Sequence, residues 1–137
     1  MLPLNSRSLF RVGSRNLPVA RDVTTGRLLA SRVSVATRWQ DRLRGLLGQA
    51  EFQRGDALWI TPCRGVHTWW MRFSIDLIAL DATGIVVDAV AGLRPWRMRL
   101  PRPGAVGVLE LPIGMLAHSR TRLGNRVVFE PLVPDLE

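Results

Sequence analysis

The chain has 137 residues, of which 47% are hydrophobic and 22% charged, so its length and composition fit one globular domain and exclude a disordered chain. All 19 basic residues are arginine, and together with 11 acidic residues they give a formal net charge of +8. No apolar run reaches the roughly 18 residues of a membrane span, because arginine and aspartate interrupt the most apolar region.

The first 20 residues are predicted to be a disordered basic leader, and residues 21–137 a single domain. The leader contains three arginines and no acidic residue, and polar residues at positions 5–8 interrupt the apolar core that a secretory signal requires. A transit peptide or a mis-assigned start are the alternatives for this segment. The single cysteine excludes an intramolecular disulfide, as is usual in a reducing compartment, so a cytoplasmic location is predicted.

One strand and one helix are predicted after the leader. In the segment RLLASRVSVA, apolar and polar residues alternate at Val33 and Val35, which predicts a strand near 28–36. Thr37 and Gln40 then form a capping-box pattern, and apolar residues recur at the spacing of one helical face. A short helix is therefore predicted near residues 38–47.

The rest of the chain is predicted to form short strands joined by turns. Apolar runs predict strands at 57–60, 76–80, 105–111 and 126–130. The segment DATG predicts a hairpin, in which Gly84 would supply the positive φ that such turns need. Several short strands at intervals of 8–12 residues, without strand–helix alternation, predict an all-β sandwich or barrel. The segment PIGMLAHSRTRLGN is predicted to be a loop with one helical turn.

The order of these segments resembles the domain-of-unknown-function family 192 over about residues 28–130. The resemblance rests on RLRGLLG, PCRGVHTWWMRFSIDLIALD, GIVVDAV, LRPWR, VLELPIG and LGNRVVF. It implies a compact β-sandwich of jelly-roll type. It implies no reaction and no catalytic residues, because the family has no established activity. Asn125 departs from the family pattern, in which the glycine that corresponds to Gly124 is usually followed by aspartate.

The segment 61–81 concentrates residues that could bind a ligand. In an extended chain Cys63 and His67 would share one face. Such a pair can form half of a zinc site or a nucleophile with its base, but no third ligand has a diagnostic spacing, so no metal and no cofactor are assigned. The candidate binding cleft comprises Cys63, His67, Trp69, Trp70, Arg72, Asp76 and Glu110.

Several of these residues also have a structural explanation. Cysteine is among the most buried residue types. One of the two adjacent tryptophans must face the core if the segment is a strand. A buried Asp76 is predicted to pair with an arginine such as Arg72, because buried charges need partners. Glu110 is likewise predicted to pair with an arginine.

The second candidate site is a basic loop around Trp96. Arg94, Arg97 and Arg99 surround the tryptophan, and no acidic residue lies between Asp88 and Glu110. Arginines interleaved with an aromatic residue can hold phosphates and stack a base, as in proteins that bind single-stranded nucleic acid. A solvated charged loop is the alternative.

These features predict a non-enzymatic binding or accessory module for a small ligand or a protein partner, with a cleft near Cys63 and Asp76. One alternative is a hydrolytic or metal-dependent enzyme that uses Cys63, His67 and a carboxylate. The other is a protein that binds single-stranded nucleic acid through the Trp96 loop.

Overall fold

The computed structural model describes residues 18–36, 52–63, 66–68, 71–100 and 102–131. Ten strands and one short helix lie in this part of the chain. The strands are β1 (Val19–Asp22), β2 (Arg27–Ala30), β3 (Arg32–Ala36), β4 (Asp56–Ile60), β5 (Val66–His67), β6 (Ile75–Asp81), β7 (Val86–Leu93), β8 (Met98–Arg99), β9 (Ala105–Pro112) and β10 (Val127–Glu130), and the helix is α1 (Met115–Ser119). The predicted all-β class is confirmed, while the helix predicted near 38–47 lies outside the described residues. The jelly-roll connectivity implied by the family resemblance stays a prediction.

The strands form three sheets. A three-stranded sheet has the order β10-β1-β2, a five-stranded sheet the order β3-β4-β9-β6-β7, and β5 pairs with β8. All pairs are antiparallel except β3 and β4. Two parallel neighbouring strands need a crossover connection of about a dozen residues or more. Residues 37–55, between β3 and β4, are long enough for this connection.

The predicted strand near 28–36 is two strands that belong to different sheets. Ser31 interrupts it, and the backbone N–H groups of Ser31 and Arg32 both donate to the carbonyl of Gly55, at 2.9 and 3.0 Å. β2 therefore joins the three-stranded sheet and β3 the five-stranded sheet. The strands predicted at 57–60, 76–80, 105–111 and 126–130 are confirmed as β4, β6, β9 and β10, with ends that differ by one residue.

The fold begins earlier than the predicted boundary at residue 21. β1 starts at Val19, both Val19 and Ala20 are buried, and the carbonyl of Pro18 accepts a hydrogen bond from the N–H of Val33. Residues 18–20 therefore belong to the folded domain and not to the leader. Residues 1–17 lie outside the described residues.

The five-stranded sheet is covered on both faces. The first core lies between this sheet, the three-stranded sheet and α1, and includes Trp59, Leu109 and Phe129. The second core lies on the other face and includes Leu77, Val66 and Met71, with Cys63 packed at its edge. Because both faces are buried, β6 reads as a continuous apolar run, as the sequence DLIAL indicates.

The hairpin between β6 and β7 depends on Gly84. Its φ is +89°, and a Cβ at this position would lie 2.3 Å from the carbonyl oxygen of Val127, so the prediction of a glycine turn is confirmed. Asp81 closes the turn by accepting hydrogen bonds from Thr83 and from the N–H of Ile85. Burial raises the pKa of Asp81, but these hydrogen bonds outweigh it and hold the pKa below its ordinary value.

Candidate functional site

Cys63 lies in a shallow depression beside the second core. The depression has a volume of about 390 Å³ and is lined, among the described residues, by Pro62, Cys63, Ala105 and Val106. The N–H of Cys63 and the hydroxyl of Thr61 both donate to the carbonyl of Val106, at 3.2 Å each. These bonds fix the Cys63 segment to β9, so the walls of the depression are built on a sheet and not on a loose loop.

Asp76 is buried on the opposite side of the five-stranded sheet. One carboxylate oxygen accepts a hydrogen bond from the N–H of Gly92 and the other from the N–H of Leu116, both at 2.9 Å. Leu116 belongs to the first turn of α1, where backbone N–H groups lack partners within the helix. The donors to Asp76 are therefore backbone amides and not the predicted arginine, and the described contacts leave Arg72 exposed at the surface. Asp76, on β6, thus links Gly92 of β7 to the first turn of α1.

Glu110 faces the second core. Its neighbours on β9, Leu109 and Leu111, contribute to the first core, and side chains alternate along a strand. Its partner in the β6–β9 register, Leu77, belongs to the second core, whereas Asp76 is opposite Leu111. Asp76 and Glu110 are thus separated by the sheet and cannot contact the same ligand.

His67 lies on the short β5–β8 ribbon. Val66 is opposite Arg99, and His67 is opposite Met98. Val66 is buried in the second core, so His67 and Met98 point to the outer side of the ribbon. β5 comprises Val66 and His67, and residues 64 and 65 lie outside the described residues, so the shared face predicted for Cys63 and His67 stays a prediction. Trp69 and Trp70 lie outside the described residues.

Thr68 fixes the conformation of the basic loop. This fully buried residue donates its backbone N–H to the carbonyl of Arg97 at 2.8 Å, and its hydroxyl accepts from the N–H of Arg97 and donates to the carbonyl of Arg94. Its carbonyl accepts from the N–H of Trp96, a residue with the left-handed φ of 62°. The role of Thr68 was not predicted, because a single threonine among aromatic residues carries no recognisable pattern.

Asp88 anchors the other end of the loop. Its carboxylate accepts two hydrogen bonds from Arg99, at 2.7 and 2.8 Å, and Arg102 lies 3.6 Å away. The hydrogen bond from Arg99 holds the pKa of Asp88 below its ordinary value, although burial opposes this, and Asp88 raises the pKa of Arg99 in turn. Arg99, a predicted anion-binding residue, is therefore engaged in the fold, while Arg94 and Arg97 are exposed.

A buried polar cluster around Asp22 was not predicted. The carboxylate accepts hydrogen bonds from the N–H groups of Thr24 and Thr25, from the hydroxyl of Thr121 at 2.8 Å and from the side-chain amide of Asn125 at 2.9 Å. These donors satisfy both oxygens and join the β1–β2 turn to the segment before β10. Asn125 acts here through its NH₂ group, which aspartate lacks.

The described side chains do not assemble a metal site. No group of three His, Cys, Asp or Glu residues in this part of the chain is placed to hold a metal ion. The helix in the same part is too short to cross a membrane. Within the described ranges, the depression at Cys63 and the outer side of the β5–β8 ribbon are surfaces that a partner or ligand can reach.

The chain is similar to uncharacterised archaeal proteins and to solved bacterial structures. It is 30% identical over 112 residues to a UPF0127 protein of Thermococcus sibiricus, covering 78% of this chain and 71% of that protein. It is 27% identical over 117 residues to a UPF0127 protein of Pyrococcus furiosus, covering 82% and 98% of the two chains.

Two crystal structures share the fold. A Novosphingobium aromaticivorans protein of unknown function has a TM-score of 0.69 at 20% identity and covers 93% of each chain. A Sinorhizobium meliloti protein, described provisionally as a transcription regulator, has a TM-score of 0.70 at 16% identity over 87% of this chain and 97% of its own. The profile of the family DUF192 (Uncharacterized ACR) matches residues 21–129 and confirms the resemblance seen in the sequence. With most of its length matched, the chain belongs to the DUF192 family.

Proposed function

We propose that the protein is a non-enzymatic binding module and that a small ligand enters the depression at Cys63. The observation that carries this proposal is the depression itself, whose volume of about 390 Å³ falls in the range of small-molecule sites. Its described lining is mainly apolar, with one thiol, and is supported by hydrogen bonds to β9. An apolar group of limited size fits such a lining.

An anionic group on the ligand would meet arginine at the edge of the depression. The N–H of Ala105, in the wall, donates to the carbonyl of Arg102 at 3.2 Å, so the two residues lie side by side. The side chain of Arg102 is exposed, and its closest described carboxylate, Asp88, is already bound by Arg99. A small carboxylate or phosphate ester with an apolar body would place the apolar body against the lining of the depression and the negative charge beside Arg102.

The position of Asp76 argues against an enzyme that would pair this carboxylate with Cys63, and so supports a binding role. An enzyme that used Cys63, His67 and a carboxylate would need these groups around one substrate. Asp76 is held by two backbone amides on the first-core side, away from Cys63.

The single cysteine is a thiol, as expected in a reducing compartment, and we infer a cytoplasmic location from it.

The thiol of Cys63 provides a direct test. We expect that a panel of small carboxylates and phosphate monoesters contains compounds that raise the melting temperature of the full-length protein and slow alkylation of Cys63. The substitution Val106→Phe fills the depression and should abolish both effects. Val128→Phe, at a half-buried valine on β10 in the other sheet, is the matched control and should retain them. A compound that stabilises the protein without slowing alkylation, and that binds Val106→Phe as well as wild type, would place the site elsewhere.

A further inference from the structure

Three large apolar side chains are exposed along the end of the basic loop and β8. Trp96, Met98 and Leu100, here called the apolar ridge, are 53%, 56% and 68% exposed. They occupy alternate positions within five residues of sequence. Single exposed apolar side chains are common, but three large ones within one short segment favour an interaction surface.

The packing of a neighbouring residue directs Met98 to the surface. Met98 and Arg99 are neighbours on a strand, so their side chains point in opposite directions. Arg99 turns inward to bind Asp88 on β7 at 2.7 Å, which directs Met98 outward. At the start of the ridge, the hydrogen bonds to Thr68 fix the backbone on both sides of Trp96. The exposure of the ridge therefore follows from the packing of its neighbours.

The surroundings of the ridge are positively charged. Arg94, Arg97 and Arg102 are exposed beside it. No acidic residue occurs between Asp88 and Glu110 in the sequence. Both of these carboxylates are buried, and Asp88 is bound by Arg99. A partner of this surface must combine negative charge with an apolar layer.

We propose that the apolar ridge and its arginines dock on the surface of an anionic lipid bilayer. Aliphatic and aromatic side chains can insert into the boundary between headgroups and acyl chains, while arginines bind the lipid phosphates. Tryptophan is enriched at this level of a membrane. Single-stranded nucleic acid, predicted for the same loop from sequence, is bound by stacking on planar groups, and the two most exposed ridge residues, Met98 and Leu100, are not planar.

The test is co-sedimentation of the full-length protein with vesicles. We expect binding to phosphatidylcholine vesicles that contain roughly one-third phosphatidylserine, and much weaker binding to phosphatidylcholine alone. The double substitution Met98→Ser with Leu100→Ser should weaken binding about tenfold or more, because two inserted apolar side chains are lost. Arg94→Gln with Arg97→Gln should weaken it about tenfold and remove the preference for phosphatidylserine.

A matched control uses exposed apolar residues at the other end of β7. Val23 and Leu123 are 44% and 65% exposed. The N–H of Gly124 donates to the carbonyl of Val86, so this region lies roughly 23 Å from the Leu93 end of β7, where the basic loop begins. Val23→Ser with Leu123→Ser should bind vesicles as wild type does.

A second measurement on the unmodified chain guards against variants that fold poorly. Lipids brominated along the acyl chain should quench tryptophan fluorescence of the wild-type protein, and Trp96→Phe should remove most of this quenching. Vesicle binding that is unchanged in the Met98/Leu100 variant, or lost equally in the Val23/Leu123 variant, would overturn the proposal. Tight binding of a single-stranded oligonucleotide at physiological salt, with no vesicle binding, would overturn it in favour of nucleic-acid recognition.

Discussion

At the scale of the residue, the first core depends on the missing side chain of Gly107. The indole of Trp59 is fully buried and packs against Phe129, with ring centroids 5.1 Å apart and planes inclined by 59°. A Cβ on Gly107 would lie 2.3 Å from two atoms of the six-membered ring of Trp59. Glycine thus makes room on β9 for the largest side chain of the core.

We predict that Gly107→Ala lowers the free energy of unfolding by about 1–3 kcal/mol, because the added methyl group displaces the indole from a close-packed position. Urea denaturation measures the loss. In the Trp59→Phe background, which lacks the atoms that clash, the same substitution should cost less. Equal costs in both backgrounds would show that the contact between these two residues is not the cause.

The amide of Asn125 is the second single group with a defined consequence. It donates to a carboxylate oxygen of Asp22 at 2.9 Å inside a buried cluster. We predict that Asn125→Asp destabilises the protein by about 2 kcal/mol at neutral pH, because a donor is replaced by a like charge. The loss should shrink as the pH falls and the introduced carboxyl is protonated. Asn125→Ala, which removes the donor without adding charge, should cost about 1 kcal/mol at neutral pH and should lack the further loss from like-charge repulsion. Identical pH profiles for the two variants would contradict this explanation.

At the scale of the element, Asp88 connects β7 to β8 and so positions the basic loop. Its pKa is depressed mainly by the hydrogen bond from Arg99, so the pair stabilises the fold at pH values above the ordinary pKa of 3.8. This contribution is lost as the pH falls through the lower pKa of the folded state. The unfolding free energy of the wild type should therefore decrease in acid partly through this pair.

We predict that Asp88→Asn costs about 2 kcal/mol near neutral pH and flattens the acid limb of the stability profile. Asp56→Asn is the control, because Asp56 accepts from Arg32 at a similar distance, 2.7 Å, but in a more exposed pair. Exposed ion pairs contribute about 0–1 kcal/mol, so this control should change the profile little. Thermal or urea unfolding over a range of pH measures the free energy of unfolding of the two variants. A larger loss for Asp56→Asn than for Asp88→Asn would show that burial does not determine how much each ion pair stabilises the fold.

The strands were predictable where a run of apolar residues is bounded by turn residues, as for β4 and β9. The break at Ser31 was not, because no glycine or proline marks the point where the chain passes from one sheet to the other. The candidate cleft was only partly predictable for a related reason. Alternation along a single strand cannot tell that Asp76 and Glu110, on neighbouring strands, face opposite cores. That difference is set by the β6–β9 register, a long-range property.

At the scale of the whole molecule, the two ends of the described chain meet in one sheet. β1 lies between β2 and β10, so its residues pair with strands from both ends. Val19 is opposite Glu130, and Ala20 is opposite both Phe129 and Ala30. The sequence placed the domain boundary after these two residues, because the pattern of a strand cannot be recognised from two residues next to a proline.

Two deletions distinguish the boundary in the structure from the boundary predicted by sequence. Removal of residues 1–16 leaves every described contact in place and should change the melting temperature by only a few degrees. Removal of residues 1–20 also eliminates the buried side chains of Val19 and Ala20, their ladder hydrogen bonds, and the contact between Pro18 and Val33. We expect this second deletion to cost at least about 3 kcal/mol, since one buried valine and two or three backbone hydrogen bonds are lost together. Equal stability of the two shortened proteins in urea would mean that β1 contributes nothing before Arg21 and that the domain begins where the sequence placed it.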